Sequence, residues 1–281
     1  MEKYKESMGK GDWGKSENRT YLNLRFKWMR NLKAAVIIGV VLVCGNTLSA
    51  QEVENAYKPF QGYLSLRNMH MWRGFVVTPG VMTSTALEYN DRSGKLTLGL
   101  WGGASFDGTF KEYSYYGVYR FADNFYVEVV SHNNYSSQDE EDIDMFSYAK
   151  ETSPNFVDIA LGYTVSEEVP LTLFWATILA GQGQDYEVDE NGDRTDSYSN
   201  YVEAKYRLHN KGGYQLSAFA GGAFSFSTEK TFYSKGANFV NIGLTLSKSV
   251  EVFNKKIPVN FNGIWNPESG KGVLQIDVVL F

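Results

Sequence analysis

The sequence predicts an all-β fold: a transmembrane antiparallel up-and-down β-barrel of about 12 strands. Three observations predict it. Apolar and polar residues alternate in segment after segment, the apolar phase is almost free of charge, and the connections sort by length into two kinds. No stretch of the 281 residues shows helical periodicity.

The alternating segments run, in order, over 60–74, 81–90, 95–106, 110–122, 125–136, 154–166, 171–182, 198–208, 213–226, 237–249, 257–266 and 271–281. Most match the roughly 9 to 11 residues that a tilted strand needs to cross a bilayer. In the third, "KLTLGLWGGASF", Leu96, Leu98 and Leu100 share one face, while Lys95, Thr97, Gly99 and Ser105 share the other. Joins after the even segments are short and turn-like, such as "NDRSG", "ADN", "SEEV", "HNKGG" and "EVFNKK". Joins after the fifth, seventh and ninth are long and polar. Tight turns at one end and long loops at the other are the mark of an outer-membrane barrel, whereas a sandwich has no reason to sort its loops by parity.

Charge placement supplies the second test. Over about 60 outward positions up to Leu246 no Asp, Glu, Arg or Lys occurs, although 21% charged residues would place about 13 there. A charged side chain facing lipid at mid-depth costs roughly 2–4 kcal/mol, so the gap has a physical cause. Lys248 comes next, where a periplasmic boundary is expected. Tyr89, Tyr119, Phe121, Phe125, Tyr163 and Tyr206 gather outward near the short turns, and Tyr113, Tyr115 and Trp265 near the other end. These read as two aromatic girdles.

Residues 29–50 have the shape of a secretory signal peptide: a basic start at Met29–Lys33, the apolar run "AAVIIGVVLV" and a cleavage point after Ala50. Residues 1–28 read as a leader or start-site artefact, and 51–59 as a short periplasmic segment before the barrel at 60–281. The one cysteine, Cys44, falls in the signal, so no disulfide or thiolate metal site is expected beyond it. Of the 27 Lys+Arg and 32 Asp+Glu, nine and four precede Gln51, leaving 18 against 28, a net charge of −10. That excess argues against nucleic acid as a partner. The expected site is the outer membrane of a Gram-negative bacterium. Expected partners are its lipid and lipopolysaccharide, the barrel assembly machinery and small polar solutes. The terminal "QIDVVLF" suits that machinery, although Phe281 falls out of phase, with Gln275 and Asp277.

"MWRG" (Met71–Gly74), Pro79, "LGLWGGASFDG" (Leu98–Gly108) and "KEYSYYGVYRFADNFYVEV", with Glu112 and Tyr119, resemble the TorF-like group of small outer-membrane porin-like barrels. The likeness covers about residues 60–130, with His70 where an aromatic is expected. It implies a barrel of transport function and carries over no substrate or catalytic residue.

The inward phase holds Arg67, Arg73, Lys95, Arg120, Lys205 and Arg207 with Glu88, Glu112, Glu128, Asp158, Glu203 and Asp277. A lumen so charged must be paired or wet. Glu88 with Lys95, and Arg120 with Glu128, flank short turns and are expected to form ion pairs. These side chains suit either a narrow polar pore or a satisfied polar plug. The leading functional reading is passive passage of small polar solutes. The alternatives are a structural or adhesive barrel using the acidic loops "DEEDID" (Asp139–Asp144) and "DYEVDENGD" (Asp185–Asp193), and a lipid-acting enzyme. "DENGD" lacks the spacing and final Glu of a calcium loop. His70 is expected outward beside Asn68, and His132 inward with no acidic neighbour in the sequence. His209 falls in a turn. No catalytic set, metal site or cofactor motif is assigned, and an enzyme is not expected.

Overall fold

The computed structural model describes residues 57–136, 144–149, 153–181 and 185–280. The leader, the signal peptide with Cys44, most of the first acidic loop (139–143) and Phe281 lie outside the described residues. The described residues contain no helix.

The strands are β1 (Phe60–Arg67), β2 (His70–Trp72), β3 (Phe75–Thr78), β4 (Met82–Asn90), β5 (Leu96–Ser105), β6 (Lys111–Ala122), β7 (Phe125–Asn134) and β8 (Phe156–Thr164). They continue with β9 (Leu171–Gly181), β10 (Tyr186–Val188), β11 (Arg194–Asp196), β12 (Asn200–Lys211), β13 (Tyr214–Phe224), β14 (Asn238–Val252), β15 (Lys255–Asn266) and β16 (Lys271–Val279). Twelve of them close into one antiparallel barrel in the order β1-β16-β15-β14-β13-β12-β9-β8-β7-β6-β5-β4. The remaining four form two hairpins, β2–β3 and β10–β11. The fold is the expected transmembrane up-and-down barrel.

Alternation builds the wall as the sequence implies. Leu98, Leu100, Leu173, Leu244 and Leu274 point outward with 44–53% of their surface exposed, while inward Thr97, Ser84, Ser65 and Ser217 are buried. An apolar exterior over a polar interior inverts the arrangement of a water-soluble sheet and suits lipid outside. Lys248 ends the uncharged stretch as a boundary residue: its Nζ lies 2.6 Å from the Tyr214 hydroxyl and 4.4 Å from that ring's centre. Such a contact lets the stem lie against apolar wall while the charge reaches water.

Two boundaries differ from expectation. Strands β14 and β15 run on to a two-residue turn at Phe253 and Asn254, both with positive φ (49° and 61°). That is the backbone of a tight hairpin turn whose twist matches the strands. The first wall strand, expected to reach residue 74, stops at Arg67. There Arg67 Nε meets Asp277 Oδ1 at 3.1 Å across the β1–β16 seam. Asn68 then imitates a strand residue with its side chain: Nδ2 donates to Leu274 O (2.9 Å) and Oδ1 accepts from Ile276 N–H (2.8 Å). With its ladder capped in this way, the chain is free to leave the wall.

Candidate functional site

What leaves the wall turns into the barrel. The β2–β3 hairpin reverses at Arg73 (φ 45°) and Gly74 (φ 92°). Gly74 is required twice over. Its backbone is left-handed, and a Cβ there would stand 2.0 Å from the carbonyl oxygen of Val240. The hairpin backbone is tied to the last two strands, with Gly74 O accepting from Asn266 Nδ2 (2.9 Å) and Met69 O from Gln275 Nε2 (3.0 Å).

Aromatic rings fill the space around its tip. Trp72 lies 5.2–5.8 Å, centre to centre, from Phe75, His132, Phe156, Phe232 and Tyr233. Phe232 and Tyr233 descend from the β13–β14 connection, where Phe232 N–H donates to Ser199 Oγ (2.7 Å). Edge-to-face and tilted packing of this kind stabilises by about 0.5–1.5 kcal/mol per pair beyond burial. The hairpin and the β13–β14 loop therefore form a plug on the long-loop side.

At the centre of the plug sits Arg73. Its Nη2 is 2.5 Å from Asp158 Oδ2 and its Nη1 donates to the Tyr233 hydroxyl at 2.6 Å. The guanidinium lies 4.4 Å over Trp72 and 5.6 Å from Tyr201. Side-chain exposure is 10% for Arg73 and 0% for Asp158, so each charge depends on the other. A planar, permanently charged fork suits this combination of carboxylate, hydroxyl and ring face better than a lysine ammonium does.

Below the plug is a cavity of about 730 Å³. It extends from Asn90 and Thr97, beside the β4–β5 turn, up to Trp72 and Arg73. Seven of the twelve residues expected in the lumen line it: Arg73, Glu88, Glu112, Arg120, Glu128, Asp158 and Glu203. Five do not. Arg67 and Asp277 pair at the seam. Lys95 is exposed in the turn before β5. Lys205 and Arg207 line a smaller recess of about 270 Å³, where Arg207 Nη2 meets Glu167 Oε2 at 2.7 Å. The lumen is thus not evenly mixed in charge. Carboxylates dominate its middle, and four of the six cations sit away from it.

Register overturns both expected ion pairs. Glu88 stands opposite Gly99, because the β4–β5 turn consumes Lys95, and it accepts from the Tyr116 hydroxyl at 2.6 Å. Glu128 stands opposite Val118, and Arg120 opposite Tyr126. The Arg120 Nη1 donates instead to Thr97 Oγ1 at 3.3 Å. Gly99 leaves room for Tyr116 to lie flat on the wall, since a Cβ there would be 2.1 Å from its ring.

Both histidines differ from expectation as well. His132 lies between two acids, with Nδ1 3.5 Å from Glu112 Oε1 and Nε2 3.6 Å from Asp158 Oδ1. Neither acid is near it in sequence; the β6–β7–β8 register brings them together. His70 is inside rather than on the outer wall, 8% exposed, with its ring 5.6 Å from Trp101 and 5.3 Å from Phe110. Sequence reasoning also missed Trp72, Trp101, Tyr201 and Asn241 as cavity walls. The inward phase of Trp101, Tyr201 and Asn241 was legible, whereas Trp72 shares the phase of His70 and was expected outward; the folded-in hairpin that makes a cavity of them was not legible.

In the outer loops, Asp189 closes its own turn by accepting from Asn191 N–H (2.9 Å) and Asp193 N–H (2.8 Å). Asp185 is buried and accepts from the Ser199 N–H (3.0 Å) and hydroxyl. Burial pushes its carboxyl above the usual carboxylate range, against the pull of those donors.

Neither a family model nor a curated protein matches the chain. Solved structures do. The NanC porin aligns with TM-score 0.44 and 7% identity, over 77% of this chain and 97% of that one. An outer-membrane channel from Pseudomonas putida F1 aligns with TM-score 0.42 and 14% identity, over 82% and 97%. Wzi of Escherichia coli, an outer-membrane carbohydrate-binding β-barrel involved in group 1 capsule assembly, aligns with TM-score 0.33 and 11% identity, over 79% of this chain and 55% of that one. These neighbours are outer-membrane barrels. The barrel assignment itself rests on the closed strand order.

Proposed function

We propose that this protein is an outer-membrane porin-like channel, closed in this structure by its β2–β3 hairpin, which passes small polar solutes when the hairpin is displaced. The observation that carries the reading is a wide polar cavity that runs from the short-turn end and stops at the hairpin. A barrel built only as a scaffold gains nothing from carboxylates buried around such a space, because each costs desolvation. The secretory signal, the parity of the loops and the likeness to the TorF-like group support an outer-membrane setting with the short turns in the periplasm. The reading contains no catalytic step. Both ring nitrogens of His132 face carboxylates, which leaves neither as a base for Ser114, its inward neighbour across the ladder.

The test is single-channel conductance in planar bilayers, after heat-dependent gel mobility establishes folding. The chain from Gln51 onward is compared with a variant whose residues 69–80 are replaced by a short Gly/Ser linker. Rare openings in the parent and steady conductance in the variant support the reading. Two folded proteins that both fail to conduct would refute it. The aromatic filling of the long-loop end favours a structural or adhesive barrel as the second reading, and that result would select it.

A further inference from the structure

The chemistry of the cavity specifies a class of solute. Resting on the reading of this cavity as a solute space, we propose that it is a binding site for small organic cations: amines of about the size of a monosaccharide or a basic amino acid. The charge balance is the first ground. Five carboxylates line it, against Arg73, Arg120 and the bracketed His132. With His132 counted as an imidazolium and His70 as neutral between its two aromatic neighbours, two negative charges remain uncompensated by the protein. Arg73 is already committed to Asp158, and Arg120 hydrogen-bonds a threonine rather than an acid.

The second ground is independent of charge. Buried polar atoms in a folded protein nearly always find partners, and those that do not call for an explanation. On this cavity, Asn241 Oδ1, in a residue 7% exposed, has no hydrogen-bond partner, and Asp158 Oδ1 has only the His132 ion pair at 3.6 Å. Both atoms are acceptors. His70 Nδ1, in a residue 8% exposed, is also without a hydrogen-bond partner. Glu128 lines the same space, within electrostatic reach of Arg73, His132 and Arg120 but hydrogen-bonded to none of them. The donors beside Asn241 Oδ1 are spent: the Tyr201 hydroxyl and Asn241 Nδ2 both go to Glu203 Oε2, at 2.5 and 3.0 Å. Asn90 Nδ2, beside the β4–β5 turn, is an unpartnered donor on this cavity; at Asn241 and Glu128 what stands free is acceptors, which an ammonium, with three donors and no acceptor, can fill.

Shape agrees. About 730 Å³ lies within the range of small-molecule sites, and Trp101 and Tyr116 give flat walls against which a hydrocarbon or sugar face can lie. Aromatic faces next to carboxylates favour an organic cation over a bare alkali ion, which prefers several oxygens and no ring. The ammonium is assigned to Glu128.

Binding is measured on the refolded chain in detergent, by tryptophan fluorescence and calorimetry, at low and physiological salt. Glucosamine, agmatine and putrescine are the probes. Glucose and glucuronate serve as neutral and anionic counterparts of the first, and potassium chloride as the inorganic cation. At least one amine should bind, with glucose at least tenfold weaker than glucosamine and glucuronate weaker still. Glu128→Gln, which removes a charge and no protein hydrogen bond, should weaken the amine about tenfold without changing gel mobility. Absence of binding by all three amines would overturn the proposal, as would equal binding of glucose and glucosamine. Competition by potassium at the concentration of the amine, or an unaffected Glu128→Gln, would overturn it too. Because binding is read without conduction, a non-conducting protein that binds amines would refute the channel and leave the site standing.

Discussion

Replacing Arg73 by alanine should open the barrel. Removing one member of a buried ion pair costs about 3–5 kcal/mol when the other charge is left alone. Asp158 is 0% exposed and loses its 2.5 Å partner, but His132 Nε2 remains 3.6 Å from its other oxygen. The lower end of that range therefore applies, about 3 kcal/mol, to which loss of the Tyr233 hydrogen bond adds. These contacts exist only while the hairpin is inside, so their loss falls on the closed state. At about 1.4 kcal/mol per factor of ten, the ratio of open to closed rises by more than about 100-fold. Arg73→Lys keeps the charge and loses the fork, and should fall between. The readouts are open probability in planar bilayers and amide exchange at residues 70–76. If Arg73→Ala leaves both within twofold of the parent, the pair does not hold the hairpin and the reasoning fails.

Three further outcomes follow from the wall and the loops. Leu244→Arg, at mid-wall and facing out, should cost about 2–4 kcal/mol of folding stability in lipid vesicles, whereas arginine in place of the boundary residue Lys248 should cost little; equal costs would contradict a lipid-facing wall. Gly99→Ala should push Tyr116 off the wall and break its bond to Glu88. The expected loss is about 1–3 kcal/mol, read as a lower temperature for the mobility shift on gels. Asp185→Asn tests the buried loop carboxyl. A carboxyl raised in the fold binds its proton more tightly folded than unfolded. The loop is thus steadiest below the ordinary carboxylate range and loses stability as pH rises through the raised value. Amide exchange at Ser199 and Phe232, corrected for intrinsic rate, should show that slope in the parent and a flat profile in the variant.

Alternation made the wall legible because a strand buried on neither side in water, but between lipid and lumen, must keep a strict period of two. The plug was less legible. In "NMHMWRGFVVT" polar and apolar residues still alternate from Asn68 to Met71, but the apolar phase has passed from Leu64 and Leu66 to Met69 and Met71, a change that marks the departure without saying where the chain goes. A second local sign was Arg73–Gly74, a pair able to take positive φ, but its meaning depends on Asn266, Gln275 and Val240, about 170 to 200 residues later. Inward phase put six carboxylates on one face, of which five line the cavity and Asp277 pairs with Arg67 at the seam. It could not give register, and register decides that Glu88 meets a tyrosine rather than a lysine, and that His132 stands between two acids.

The order of synthesis gives those distant contacts a further meaning. The hairpin emerges near the start of the barrel, yet its backbone bonds go to Asn266 and Gln275, in the last two strands to be made. Contacts of such long separation form late. A chain missing its final strands lacks both the partners that hold the hairpin and the seam that closes the ring. The plug is therefore conditional on completion: the hairpin is tied down only once β15 and β16 are in place.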